Sequence, residues 1–503
     1  MRFFRFSLGA ILATSLGACT IGPEFEKPGI TLDNKWLNPT GNELLSSPIK
    51  DSRWWLVFND SELNQLLEVA WQQNNTLEIA GLRVLEAQAQ LGIATGNRYP
   101  QSQFLSGDAI RISPPNTAGG GANFSSYNLG ASAAWELDFW GRFKRGIESA
   151  DAVYMASIAA RDQVLILLTA QVVDTYAQIR IAEQQLRIAR DNEDIQQRSY
   201  DIASVLFRNG SDSELDMQQA QTLLLSTQAT IPGFEITIKQ ARNALSTLLG
   251  MPPGAVDELI SEGAKIPALP QEIEIGFPAD LLRRRPDVRQ AELLALAQNA
   301  RVGFAETDLY PRFSLLGSIN LASGGSSSSD FGDLFSSDAL SYSFGASFAW
   351  PFLNYGRIIN NVRVQDSRLQ QALVNYQETV IQASREAEDA MVVLNGTREQ
   401  VDILGEGVVS AQRSNELSTL RYREGFSDYQ RVLDSQQSLF SQQQRLVSAH
   451  GTSVRSLIAL YKALGGGWED QTELPLISEQ NREQMSERIN WGDYLASENL
   501  IQQ

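Results

Sequence analysis

Two stretches of the chain alternate apolar and small side chains with the period of a β-strand. In residues 342–357, YSFGASFAWPFLNYGR, the apolar set is Tyr342, Phe344, Ala346, Phe348, Trp350 and Phe352, with Ser343, Gly345 and Ser347 between them. In residues 127–142, YNLGASAAWELDFWGR, it is Tyr127, Leu129, Ala131, Ala133, Trp135 and Leu137. A shift of 215 residues (342 minus 127) superposes Gly130 on Gly345, Trp135 on Trp350, Gly141 on Gly356 and Arg142 on Arg357, so one unit occurs twice. About ten residues of this alternation suit a strand that crosses a membrane, lipid on one face and water on the other. They suit an amphipathic strand of a soluble sheet as well.

Each copy sits in the same order of elements. A second strand precedes it: a weak one at 104–112, where Asp108 interrupts the alternation, and a better one through Phe313, Leu315, Gly317, Ile319 and Leu321. Tyr99-Pro100 and Tyr310-Pro311 stand just before these strands. A long helix follows each copy. From about Arg145 the positions Leu165, Leu168, Val172, Thr175, Ile179, Ala182, Leu186 and Ala189 advance by 3 and 4 in turn, a coiled-coil seam. The predicted helix runs for roughly sixty residues, about 90 Å. It stops at Phe207-Arg208-Asn209-Gly210, with Gly210 as the capping glycine. A return helix is predicted from near Ser213 to Leu249-Gly250, broken or kinked at Pro232. In the second half, Pro286 opens a helix, and the seam recurs as Val380, Ala383, Ala387, Ala390, Leu394, Thr397, Val401 and Leu404. Its turn is Arg421-Tyr422-Arg423-Glu424-Gly425, and its return helix ends near Leu464-Gly465. Upstream of both copies, Asn75 with Glu78 reads as an N-cap pair for a helix reaching Asn97. The expected organisation is a signal peptide at 1–18, an extended lead at 19–52, a first repeat at 53–262, a second at 263–467, and a polar, acidic tail at 468–503.

Each half therefore supplies two strands and a helical hairpin. If the strands lie in lipid, four of them leave unpaired backbone groups along their edges in hydrocarbon. Single-chain barrels begin at about eight strands, so the chain must pool strands with copies of itself. Two copies give eight strands and three give twelve. The hairpins would bundle around the same axis away from the membrane, with the Gly210 and Gly425 turns at the far periplasmic end. A tube open at both ends is a conduit.

Composition narrows the partners. The chain has 503 residues, 20% charged and 43% hydrophobic, and a formal net charge of −18. An acidic chain of this kind is a poor ligand for nucleic acid. Arg2 and Arg5 followed by the apolar run 6–16 read as a secretion signal, too short to span a bilayer. It ends in Leu16-Gly17-Ala18-Cys19, which resembles a bacterial lipobox, with Cys19 the residue to be acylated after cleavage. Thr20 follows in place of the aspartate of an inner-membrane retention signal, which favours the outer membrane. Losing both arginines takes the charge to −20 (−18 minus 2). Cys19 is the only cysteine and His450 the only histidine, so neither thiol chemistry nor a His cluster has material to build on. The six methionines are scattered, and no Walker A sequence is present. No cofactor or metal is expected. A structural or adaptor lipoprotein would need one hairpin and a β-rich module, whereas the chain carries two hairpins and paired strands.

The order of motifs resembles a TolC-type outer-membrane efflux channel of the lipoprotein branch. The resemblance spans Trp54-Trp55 to Leu464. It rests on the lipobox, Arg284-Arg285-Pro286-Asp287, the two Tyr-Pro and two Gly-Arg strand boundaries, Asn243-Ala244-Leu245 before Leu248-Leu249-Gly250, and Arg421-Tyr422-Arg423-x-Gly425 followed by Leu433-Asp434-x-Gln436. It implies a mostly α fold with long coiled-coil hairpins. As a homotrimer the family forms a twelve-helix α-barrel and a shared twelve-stranded membrane β-barrel, four strands per protomer. It implies an outer-membrane, lipid-anchored location carrying palmitate, with a large periplasmic part. The implied partners are a periplasmic adaptor (membrane fusion) protein and an inner-membrane transporter, usually proton-driven. The implied function is the passive exit duct of a tripartite pump for drugs or other small molecules, a trait of antibiotic resistance. The alternative use is the outer-membrane conduit of type I protein secretion.

The resemblance also implies a periplasmic gate. Asp434 matches an aspartate ring that constricts the closed tip; on its own it reads as a solvated helix charge. Tyr422 matches a tyrosine that ties neighbouring hairpins; on its own it reads as a packing aromatic. Family members often carry leucine four residues before the aspartate, where this chain has Gln430. Val432 or Leu433 are the candidates to replace that apolar ring. Arg421, Arg423, Asp212 and Asp216 are candidates for ion pairs at the tip, each worth about 0–1 kcal/mol at a surface.

Overall fold

The structure is a computed structural model that describes residues 20–29, 36–37, 44–45, 53–113, 123–211, 213–261, 263, 265–270, 273–274, 284–323, 331–468 and 474–495. The signal peptide, Cys19 and Asp212 lie outside the described residues. The chain divides into two compact units.

The first unit draws its described residues from Met1–Gly29, Leu85–Ser157 and Gln290–Gln377. Its centre is a four-stranded antiparallel sheet in chain order, β1 Ser102–Ile112, β2 Phe124–Leu137, β3 Arg312–Ser323 and β4 Leu340–Ala349. Both repeats thus contribute a hairpin, joined through β2 and β3. The alternation read as reaching Phe352 stops earlier, at Ala349, because Pro351 has no N–H to give the ladder. The N-terminal segment is an extended strap here. The Ile21 amide donates to the Trp140 carbonyl, Arg145 donates to the carbonyls of Ile21 and Gly22, and Lys27 pairs with Glu292 at 2.5 Å.

The second unit comprises the described residues of Ile30–Val84, Ile158–Arg289 and Glu378–Gln503. Its helices are α1 Ser61–Gln73, the start of α2 Asn75–Gly96, most of α3 Arg142–Arg208, then α4 Glu214–Gln228, α5 Ile231–Leu248, the end of α7 Arg357–Arg423, α8 Tyr429–Ala463 and α9 Glu479–Arg488. The remaining helix, α6 Pro286–Glu306, opens with proline at its first position as expected. At 67 residues each, α3 and α7 exceed the expected sixty, about 100 Å at 1.5 Å per residue. The predicted break falls between α4 and α5, with Pro232 in the first turn of α5. Ser213 caps α4 by accepting from the Asp216 amide.

The seam positions Leu165, Leu168, Val172, Ile179, Ala387, Ala390 and Leu394 are buried in one cluster with Trp54, Trp55, Leu245, Leu249 and Tyr461. Arg180 is fully buried beneath it and binds Glu62 at 2.5 Å, Glu183 at 2.9 Å and the Ser261 carbonyl at 2.7 Å. Removing one side of such a pair strands a buried charge and costs about 3–5 kcal/mol. Arg285 explains part of the Arg-Arg-Pro-Asp motif. Its guanidinium pairs with Asp287 and Glu386 and donates to the Ala463 carbonyl at the end of α8.

Two expectations need correction. The helix cap is Asn74, whose side chain accepts from the Leu77 amide, rather than Asn75. Glu78 is turned away from the cap and accepts from the Ser478 amide, the Ser478 hydroxyl and the Asn481 amide group. The tail, left without structure by its polar composition, is therefore strapped onto α2. Within the described part of the tail Ile477 and Met485 are buried.

Candidate functional site

The sheet is a wall with two unlike faces, and the register shows it. Directly opposed residues share a face. Trp135 pairs with Leu315, which in turn pairs with Ala346; Ala131 pairs with Ile319 and that with Tyr342; Leu137 pairs with Phe313 and that with Phe348. On β1 the same face carries Leu105. This face is mainly apolar on β2, β3 and β4, while on β1 it carries Leu105 and Ala109 between Gln103 and Arg111; its residues on β4 are open to solvent in the single chain, Phe344 at 83%. The other face carries Asp108, Asn128, Ser132, Glu136, Ser314, Ser318, Asn320, Ser343 and Ser347. Asn128 donates to Asp108, and the hydroxyls of Ser318 and Ser343 are 2.9 Å apart. In the sheet order, β1 and β4 are the outer strands, each paired on one side.

The repeat extends to the ends of the strands. The Trp135 indole donates to the Arg98 carbonyl, and the Trp350 indole donates to the Leu309 carbonyl, each acceptor lying just before a Tyr-Pro pair. Trp140 stacks near Tyr310 and donates to the Pro311 carbonyl. Arg142 pairs with Asp308 and lies over the Phe304 ring. These aromatic anchors were not visible as hydrogen-bond donors in the sequence, though the repetition of Trp at both positions was a signal.

The tip is built by four helix ends within the second unit. Gly210 and Gly425 both have φ near +73°, and each closes its helix identically. The Gly210 amide donates to Phe207 and the Ser211 amide to Leu206; the Gly425 amide donates to Tyr422 and the Phe426 amide to Arg421. This is a Schellman turn at equivalent places in both hairpins, and any L-residue with a Cβ is strained there.

Between the turns lies a small cluster of Ala203, Ala220, Tyr429 and Val432, flanked by Tyr200, Tyr422 and Leu433. Tyr422 packs edge-on against Tyr429 with ring centres 5.3 Å apart. Burial, with Asp216 nearby, pushes the Tyr429 phenol up to about 12. Asp216 also accepts from the Ser213 hydroxyl. Arg421 and Arg423 are exposed and make no ion pair among the described residues, and Asp212 lies outside those residues. Val432 is 1% exposed and points into the cluster, so it is not available to replace an apolar ring; Leu433 packs against the same cluster. Asp434 and Gln430 are exposed, and the Gln430 amide donates to the Asp434 carboxylate at 2.8 Å. Sequence reasoning missed Tyr429, whose only signal was its place in the first turn of α8.

Beyond the tip, α8 has a distinctive outer face. Arg431, Asp434, Ser438, Ser441, Arg445, Ser448, Thr452 and Arg455 follow each other by 3 and 4 residues, and all are exposed. Among the described residues, no group of three or more His, Cys, Asp or Glu is placed to hold a metal.

A sheet with one largely apolar face and two open outer strands, in a chain whose long helices close on paired glycine turns, has the make-up of an outer-membrane channel protein. The sequence matches the outer membrane efflux protein family over residues 66–251 and 277–466, and the chain belongs to that family. The cation efflux system protein CusC of Escherichia coli K12 is 30% identical over 91% of this chain and 98% of that relative. The solvent efflux pump outer membrane protein SrpC of Pseudomonas putida is 31% identical over 93% of this chain and 99% of its own length. The solved outer-membrane channel OprN superposes with a TM-score of 0.83 at 31% identity, covering 90% of this chain and all of that one. These relatives are channel proteins, not enzymes, and this chain is an outer-membrane efflux protein.

Proposed function

We propose that three copies of the chain form the passive exit duct of a tripartite pump that expels drugs or other small molecules. The observation that carries this reading is the four-stranded sheet with an apolar face and unpaired outer edges. In hydrocarbon such edges are unstable unless β1 of one copy pairs with β4 of the next. Three copies make a twelve-stranded barrel, within the known size range of membrane barrels. Cys19 carries the acyl anchor, and the strap that begins at Thr20 holds the N-terminus against the start of α3. A periplasmic adaptor docks on the hairpin tips, and an inner-membrane transporter, driven by protons, supplies energy and selects substrates. Asp434, steadied by Gln430, forms the narrow ring at the tip, with Tyr422 packing the hairpins around it. Efflux is favoured over type I secretion because the relatives' names are those of efflux systems for cations and solvents.

The decisive measurement is the mass and image of the purified particle in detergent. A hollow particle of three protomers is expected; a compact particle of one protomer overturns the reading. For the gate, Asp434→Ala should raise single-channel conductance in planar bilayers, and unchanged conductance removes Asp434 from the constriction. For the anchor, Cys19→Ser should abolish incorporation of labelled fatty acid.

A further inference from the structure

The charges along the exposed face of α8 are ordered. Arg431 and Asp434 lie one turn apart at the tip and together carry no net charge. Ser438 and Ser441 follow, uncharged. Arg445 comes next, then Ser448 and Thr452, and finally Arg455, which is neutralised by Asp174 at 2.6 Å. Arg445 is thus the isolated charge of the stripe. It makes no ion pair among the described residues, and the groove of about 510 Å³ beside it is lined by Gln400, Ile403, Leu404, Gln444, Ser448, Ala449 and Thr452, none of them acidic. Over the 35 residues of α8 no large apolar side chain is exposed, so this face is built to stay in water.

We propose that Arg445 forms a ring of positive charge in the lumen, deeper than the tip, and sets the ion preference of the open duct against the acidic balance of the whole chain. The inference rests on the reading of this face of α8 as lumen wall. Eleven residues separate Asp434 from Arg445, about 16 Å along the helix. That exceeds the Debye length of about 8 Å at physiological salt, so the two positions act independently there. In dilute salt the Debye length grows to about 30 Å, and each ring's field fills the lumen. Three unit charges about 10 Å from a passing ion then change its partition several-fold.

The test uses the full acylated trimer in planar bilayers under a dilute KCl gradient. Arg445→Gln should raise the potassium-to-chloride permeability ratio roughly fivefold, with the effect vanishing in 1 M salt. Because Cys19 is the chain's only cysteine and is acylated, Arg445→Cys offers a single free thiol in an already assembled channel. A cationic methanethiosulfonate should restore the wild-type reversal potential, and an anionic one should push it further toward potassium. If neither reagent moves the reversal potential while Asp434→Asn does, Arg445 lies off the lumen and the proposal is overturned, with the tip reading intact. If none of the three changes moves it, the lumen assignment of α8 fails and the Asp434 ring falls with it. If the reagents act at position 445 and Asp434→Asn does nothing, the inner ring stands and the tip ring does not.

Discussion

Helices α7 and α8 are consecutive in the chain, yet their outward faces are unlike. From Glu378 onward α7 exposes Ile381, Val392, Val393, Ile403, Val409, Leu417 and Leu420, with Val409 at 69%. Across its whole length α8 exposes none. Both helices bury a seam, so the difference lies in what their other faces meet. Scattered apolar side chains on a surface are ordinary. A row of them along one helix beside a helix with none marks an interaction face. Under the proposed trimer, the contrast fits α7 facing a neighbouring copy and α8 facing water.

The largest effect should come from charging the apolar face. Val409→Asp with Leu420→Asp is expected to prevent assembly, the detergent-solubilised particle falling to the mass of one protomer. Ser441→Asp on α8 should leave the particle mass unchanged. Equal behaviour of the two helices would erase the distinction. A smaller effect compares the two sides of α8 itself. A Cβ at Gly451 would lie 2.6 Å from the Ile181 Cδ1 atom, so Gly451→Leu overpacks the buried side. It should lower unfolding stability by about 1–3 kcal/mol, while Ser441→Leu on the open side should stay within about 0.5 kcal/mol.

The smallest effect belongs to a polar group that the chain satisfies by itself. Glu78 sits partly exposed under the C-terminal strap. Burial pushes its pKa up, but the hydrogen bonds from Ser478 and Asn481 outweigh this and hold it below its ordinary value of 4.5. A depressed carboxylate stabilises above its unfolded pKa and loses that contribution as pH falls through the folded value. Protease cleavage within the tail should therefore be constant from pH 7 to about pH 5 and rise only below about 4.5. Glu78→Gln should loosen the tail by on the order of 1 kcal/mol above about pH 5, the difference from wild type closing as acid protonates Glu78.

What the sequence determined by itself was everything local or periodic. The 215-residue repeat, the strand alternation, the 3,4 seams, the break at Pro232 and the helix stops at Gly210 and Gly425 follow from backbone chemistry and from side-chain period, which neighbours in the chain set. Tertiary structure decided what depends on partners distant in sequence. Asn74 rather than Asn75 caps α2, because the choice depends on where the preceding helix ends and on the Leu248 carbonyl that Asn74 also binds. Glu78 could not announce an acceptor role toward residues 400 positions away. Val432 and Leu433 are alike in composition near Asp434, and only the packing of α3, α4, α7 and α8 around Tyr429 turned Val432 inward. The single apolar face of the sheet needed the strand register, since a slip of one residue would exchange its two sides.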